Sequence, residues 1–229
     1  MILGILQARI SSTRLPGKVM APVLGEPMIG RQVERLRRAR RLDALVVATS
    51  DRPDDDPLAA YCEGLGLPVY RGSLPDVLDR FHHAALAFGP ASTIVRMTAD
   101  CPLTDWTLVD RVIETQVGGG FDYANNTDPE RTFPHGLDVE AMRAGALAEA
   151  WREAADPYER EHVTPFLYRR PERYRLGSVV SDRPAPELRW TVDTPQDLEF
   201  VRYVYQTLYP SDPAFGPDAI RALPRNSSA

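Results

Sequence analysis

Gln7-Ala8-Arg9-Ile10-Ser11-Ser12-Thr13-Arg14-Leu15-Pro16-Gly17-Lys18 follows directly on the apolar run Met1 to Leu6. The run reads as a buried strand. The twelve residues after it are polar, carry three cations and contain a Pro-Gly turn signal, so they read as a loop. A loop leaving the C-terminal end of a first strand lies at the edge where open α/β sheets bind ligands. Arg9, Arg14 and Lys18 bring positive charge, Ser11, Ser12 and Thr13 bring hydroxyls, and the backbone brings N–H groups. Together these groups suit a polyphosphate.

Of the 27 basic residues, 26 are arginine, and Lys18 is the one lysine in 229 positions. An ammonium is a compact point charge that can follow a phosphate through a reaction, which a planar guanidinium does less well. The loop is not the Walker phosphate-binding pattern, because Val19 follows Lys18 where Ser or Thr is required.

Downstream, strand, loop and helix alternate. A helix is expected from Gly25-Glu26-Pro27 to about Ala39, a strand over Ala44 to Thr49, and a helix from the Ser50–Asp54 turn to Gly64. A short strand over Pro68 to Tyr70 leads to a helix ending at Phe88, with Ser73 as its expected cap. A strand over Ser92 to Met97 precedes a helix over Asp105 to Val117. This alternation signals a mostly parallel, doubly wound sheet. The second half is less regular. Strands are expected over Phe121 to Ala124, Leu137 to Ala141 and Arg173 to Val180, and helices over Gly145 to Ala154 and Tyr158 to Tyr168, the latter kinked or ended at Pro165. A last long helix follows Pro195 and runs through Leu208. We expect one domain over 1–209 and an appended helical turn and frayed tail over 210–229.

A chain that is 43% hydrophobic and 26% charged, with net charge −5, is an ordinary globular composition. The short basic run Arg37–Arg41 ends a predicted helix, where cations complement the dipole, and does not read as a nucleic-acid site. No stretch approaches the apolar length of a membrane span, and the N-terminus lacks the charged region of a signal peptide. Cys62 and Cys101 form no metal or redox motif and read as free thiols in a reducing cytoplasm. His82-His83 has no partner cluster and reads as structural.

Two carboxylates stand out. Asp100 follows the fourth strand in Arg96-Met-Thr-Ala-Asp-Cys-Pro-Leu103 and faces the same edge as the Lys18 loop; it reads either as a Mg²⁺ ligand or as a turn residue before Pro102. In Arg189-Trp-Thr-Val-Asp-Thr-Pro-Gln-Asp197, Thr194 as cap, Pro195 at the first helical position and Asp197 near the dipole explain a helix start but leave Asp193 unexplained.

Leu6 to Lys18 resembles the opening motif of the cytidylyltransferases, the family of CMP-sugar-acid synthetases and SpsF-like spore-coat polysaccharide proteins. The likeness to the SpsF-like branch extends from Met1 to about Tyr209. It implies a Rossmann-like three-layer α/β fold of the nucleotide-diphosphosugar-transferase type. It also implies a Mg²⁺-dependent reaction in which an acceptor oxygen attacks the α-phosphate of CTP, pyrophosphate leaves, and a CMP-linked product forms. By resemblance, Lys18, Arg14 and Arg9 are catalytic. Gln7, Ala8, Arg9, Ser12, Arg14 and Lys18 bind the nucleotide with Arg71, Ser73, Asp76, Val77 and Arg80 of Arg71-Gly-Ser-Leu-Pro-Asp-Val-Leu-Asp-Arg80, the segment that helps read the base. Asp100 and Asp193 hold the metal. Asn125 and Asn126, His135, Asp138 and Glu140, and Arg160 and His162 face the acceptor, although the branch more often carries Asp where this chain has His135.

The resemblance further implies CTP and a small-molecule acceptor as partners, a homodimer, and a cytoplasmic enzyme. The acceptor is a sugar acid or another polysaccharide precursor; a phosphate or phosphonate acceptor is the alternative. A related glycosyltransferase would carry Asp-x-Asp after a central strand, whereas this chain has Asp100-Cys101-Pro102. A non-catalytic nucleotide-binding scaffold has no need of Lys18 and both aspartates. An Asn at either Asp100 or Asp193 is expected not to lower the stability of the ligand-free protein, and to raise it if the two carboxylates repel each other there.

Overall fold

The structure, a computed structural model, describes residues 1–224. Its main sheet has seven strands. In chain order they are β1 (Ile2–Gln7), β4 (Ala44–Ser50), β5 (Val69–Gly72), β6 (Thr93–Thr98), β7 (Tyr123–Asn125), β8 (Glu140–Arg143) and β9 (Leu176–Ser178). The short β2 (Pro22–Val23) and β3 (Glu26–Pro27) pair only with each other. The order across the main sheet is β5-β4-β1-β6-β8-β7-β9. Every pairing is parallel except the two that β8 makes, with β6 and with β7. This is the expected Rossmann-like three-layer α/β architecture.

Helices cover both faces, which is why the central strands are apolar without alternation. Leu6, Val47, Val95 and Met97 face a core with α1 (Met28–Leu36), α2 (Asp56–Gly64), α4 (Trp106–Gly119) and α8 (Pro195–Leu208). Leu3, Ile5, Val46 and Ile94 face a second core with α3 (Val77–Ala87), α5 (Ala144–Glu153) and α7 (Pro165–Tyr168). The short α6 (Pro157–His162) precedes α7, and α9 (Pro217–Arg221) follows α8. Phe215 and Ile220, beyond Pro210, are buried in the first core. The expected tail falls partly on residues 225–229, outside the described residues. Among the described residues no helix is long and apolar enough to cross a membrane.

Several local expectations shift. The helix expected at Gly25 starts at Met28, because Glu26 and Pro27 pair with Val23 and Pro22 first. The cap of α3 is Asp76, not Ser73: Asp76 accepts from the Asp79 amide at 2.9 Å, and Ser73 Oγ instead accepts from the Asp76 amide at 3.1 Å. The single helix expected over Tyr158 to Tyr168 is two short ones. Val163 between them sits at φ 72°, so the break comes two residues before Pro165. At α8 the sequence signal holds in full, with Thr194 and Asp197 forming a reciprocal capping box around Pro195. His82 stacks on Trp151 at 4.2 Å between ring centroids, a packing role.

Candidate active site

The C-terminal ends of β1, β4, β5 and β6 lie together because these strands are parallel neighbours. The loop after β1 crosses this edge. Gly17, at φ 74°, turns the chain so that Lys18 to Met20 form one helical turn, and Lys18 points back across the edge. Asp55 holds the start of the loop: its carboxylate accepts from the Ile10 amide at 2.7 Å and from the amide and hydroxyl of Ser50 at the end of β4. Sequence reading passed over Asp55, since it stands in the run Asp54-Asp55-Asp56 with nothing to single it out. Among the described residues the amides of Ser11, Thr13 and Arg14 have no hydrogen-bond partner, and neither has the Arg9 side chain. These are donors available to an anion.

The loop meets a segment almost at the other end of the chain. The Asp100 carbonyl accepts from the Val192 amide at 2.7 Å and from Thr191 Oγ1 at 3.1 Å. Gly136, at φ 100°, lies so close to this segment that a Cβ there would stand 2.4 Å from the Thr191 nitrogen. These contacts bring Asp193 beside Asp100. Lys18 Nζ donates to the Val192 carbonyl at 2.5 Å and to Asp193 Oδ1 at 3.1 Å, and lies 3.6 Å from Asp100 Oδ2. Arg14 reaches Asp193 Oδ1 at 2.7 Å, and Arg189 reaches Asp193 Oδ2 at 2.6 Å. Burial alone would raise the Asp193 carboxyl. The hydrogen bond and charge of Lys18, supported by Arg189 and Arg14, outweigh it and hold the group below its ordinary value.

This geometry corrects the expectation of mutual repulsion. The ammonium stands between the two carboxylates, so removing either charge from the nucleotide-free protein takes away an attraction. Among the described residues no group of three or more His, Cys, Asp or Glu forms a complete metal site. A hard divalent cation still fits: two carboxylates converge on one cationic nitrogen, and such ions complete their coordination with water and substrate phosphates.

Most residues of the segment expected to read the base are engaged with their own surroundings. Arg71 donates to the carbonyls of Ser50 at 3.1 Å and Arg52 at 2.8 Å, and pairs with Asp56. Val77 is buried in the second core. Asp76 pairs with Arg160. Arg80 is fully buried, donates to the Ser73 carbonyl at 2.7 Å, and has Nε and Nη2 without partners among the described residues. Burial, then the nearby Arg9 charge, push its pKa down to about 10.

A cavity of about 250 Å³ opens beyond β6 and is lined by Arg96, Asp128, Asp138, Glu140, Tyr158 and His162 among others. Of the expected acceptor residues, Asp138, Glu140 and His162 line it. Arg160 and His135 do not. Asn125 and Asn126 spend their amides on backbone: Asn125 Oδ1 accepts from the Thr127 and Asp128 amides, and Asn126 bridges Leu137 and Val139. The His135 backbone bonds Leu188 and Trp190, which fixes the approach to Asp193. Glu140 accepts from Tyr123 and Thr164, each at 2.6 Å, and pairs with Arg96, which also reaches Gln7. Arg131 holds Asp138 with two nitrogens, at 2.6 and 3.0 Å. Sequence reading missed Asp128, Arg131 and Tyr158, which carry no motif of their own, and gave no role to Arg96, although it opens the segment quoted around Asp100.

The comparisons agree with this architecture. The chain is 36% identical to the spore coat polysaccharide biosynthesis protein SpsF of Bacillus subtilis, covering 100% of this chain and 96% of that one. A cytidylyltransferase structure from Leptospira borgpetersenii superposes with a TM-score of 0.90 at 30% identity, covering 96% of this chain and 92% of that one. The synthetase of CMP:2-keto-3-deoxy-manno-octonic acid, solved with CTP, shares the fold: TM-score 0.68, 18% identity, 90% and 98% covered. The cytidylyltransferase family profile matches residues 3–210, and by that match and the full-length likeness to SpsF the chain belongs to the cytidylyltransferase family.

Proposed function

We propose that this protein transfers CMP from CTP to a sugar acid or related polysaccharide precursor and releases pyrophosphate. The observation that carries the reading is the convergence of Lys18, Asp100 and Asp193 on the sheet edge that also holds the unpartnered donors of the Arg9–Arg14 loop. Nucleotidyl transfer asks mainly for positioning and charge neutralisation. The loop amides and Arg9 receive phosphate oxygens. Lys18 and Arg14 neutralise charge that builds up at the α-phosphate as the acceptor oxygen attacks. Mg²⁺, held by Asp100 and Asp193, supplies further neutralisation of the triphosphate when bound.

Cytidine preference is part of the same reading. The Nε and Nη2 edge of a guanidinium presents two parallel N–H donors. Cytosine offers two acceptors, O2 and N3, to such an edge, whereas uracil turns an N–H toward it. Arg80 has that edge unpartnered among the described residues, and since its side chain is fully buried the base meets it only when the cover over that edge moves aside.

The cavity beyond β6 is the acceptor site in this reading. Arg96, the single lining arginine, is paired by Glu140, and Asp138 is paired by Arg131, so the lining offers no free arginine and leaves Asp128 as a carboxylate without a cationic partner among the described residues. A doubly charged phosphate or phosphonate matches that lining poorly, and a hydroxyl-rich acceptor matches it better. The homodimer and the cytoplasmic setting belong to the reading as well; light scattering at micromolar concentration tests the former.

The test is a pyrophosphate-release screen of CTP, UTP, ATP and GTP against sugar acids and phosphorylated acceptors. Release with CTP and a sugar acid is the expected result. Release only with a phosphorylated acceptor, or equal use of all four nucleotides, overturns the corresponding part of the proposal.

A further inference from the structure

We propose that Lys18 is a place-holder for the metal: in the nucleotide-free protein its ammonium occupies the cation seat between Asp100 and Asp193, and metal and ammonium exchange there when the nucleotide binds. The inference rests on the assignment of those two carboxylates as metal ligands.

Two independent features carry it. The first is position. Lys18 Nζ lies within ion-pair distance of both carboxylates, 3.1 Å from Asp193 and 3.6 Å from Asp100, and its side chain is only 8% exposed. An ammonium so enclosed is a built-in cation, and a second cation on the same oxygens would have to displace it. The second is the occupancy of Asp193. Its Oδ1 receives Lys18 and Arg14, and its Oδ2 receives Arg189, so neither oxygen is free. Three cations already face this one carboxylate. A divalent ion arriving alone would add two more charges to a site whose charge is already matched, while Mg²⁺ meets one or two carboxylates weakly without phosphates.

A nucleotide changes this balance. Its phosphates offer Lys18 and Arg14 new anionic partners at the same edge. Once these cations turn to the phosphates, the seat is left with unmatched negative charge, and the divalent ion fills it. The predicted order follows: metal enters with or after the nucleotide, never ahead of it. The same argument explains why this one cation is lysine in a chain of arginines. A single nitrogen on a flexible stem can sit between two carboxylates and then leave, whereas a planar guanidinium cannot put its whole charge in that seat.

The test measures Mn²⁺ uptake, by the paramagnetic resonance signal of the free ion, for nucleotide-free wild-type protein, Lys18→Met, and Lys18→Met combined with Asp100→Asn. The wild type should bind Mn²⁺ weakly, Lys18→Met at least about tenfold more tightly, and the double variant should lose that gain. Should Lys18→Met not fold, Lys18→Gln, which retains a donor for the Val192 carbonyl, takes its place. Mn²⁺ binding no tighter in the neutral variant than in the wild type overturns the place-holder. The metal assignment is judged separately, by Mn²⁺ uptake of the wild type and of Asp100→Asn with CTP present. If Asp100→Asn binds as well as the wild type there, the assignment fails and the place-holder with it. If Asp100→Asn loses Mn²⁺ there while Lys18→Met shows no gain, only the place-holder fails.

Discussion

Arg160 Nε donates to Asp76 Oδ2 at 2.7 Å, across 84 positions of sequence. The same carboxylate, through Oδ1, caps the helix whose start forms the proposed base-reading segment. Arg160 also donates to the carbonyls of Trp151 and Ala154, so one guanidinium ties α3 to α5 and α6. Two residues expected to bind different substrates are thus bonded to each other. In the proposed reading, the pair fixes the nucleotide side of the cleft relative to the acceptor side. A double-mutant cycle of Asp76→Asn and Arg160→Gln on thermal stability should show coupling of about 1 kcal/mol, the range for directly bonded neighbours. Additive effects would mean the pair does not join the two sides.

Asp193→Asn should lower the stability of the nucleotide-free protein by about 2 kcal/mol, the scale of a lost hydrogen bond to a charged group. The sign of its pH dependence follows from the lowered Asp193 carboxyl, whose ordinary value is 3.8. The contribution is fully present above that value and is lost as pH falls through the lower, folded-state one. Melting curves should therefore show a constant gap between wild type and variant from about pH 8 to pH 5, closing only below about pH 4. A gap that opens on acidification would contradict the ion-pair network.

Lys18→Arg should lose on the order of a hundredfold in turnover, the usual cost of a charge-stabilising group. The reason is geometric: one nitrogen serves the Val192 carbonyl and two carboxylates in a closed site, and a planar guanidinium cannot put all its charge there. Steady-state pyrophosphate release, with circular dichroism to verify folding, measures it. Turnover near the wild-type value would refute the claim that the shape of this cation matters.

Arg80→Met removes a buried charge for which no carboxylate partner is found among the described residues, so stability should hold or rise. Affinity for CTP should fall by about tenfold, and the preference for CTP over UTP should narrow. Calorimetric titration with both nucleotides reads both effects. Unchanged discrimination would move the cytosine contact elsewhere.

Much of the architecture was already written in local patterns. The apolar run before Gln7, the repeated strand–helix alternation and the Thr194-Pro195-Asp197 start of α8 all act through neighbours in sequence, and the structure reproduces them. The Lys18 loop was legible as well, because a lone lysine amid arginines needs no tertiary context to be noticed. Other features depended on which segments meet. Asp76 displaced Ser73 as the α3 cap through a choice of turn geometry that composition does not encode. Asn126 looks like a free polar group in a loop, yet the return of the chain through Leu137 and Val139 gives its amide backbone partners, while Asn125 turns its side-chain oxygen onto the amides of Thr127 and Asp128 just after it. Asp55 became the clamp of the first loop only because β4 ends beside β1. The sequence alone determined that Asp100 and Asp193 were available as carboxylates. Tertiary structure alone decided that the Asp100 carbonyl would seize the Val192 amide and that Lys18 would stand between the two side chains, because electrostatic partners are set by distance in space.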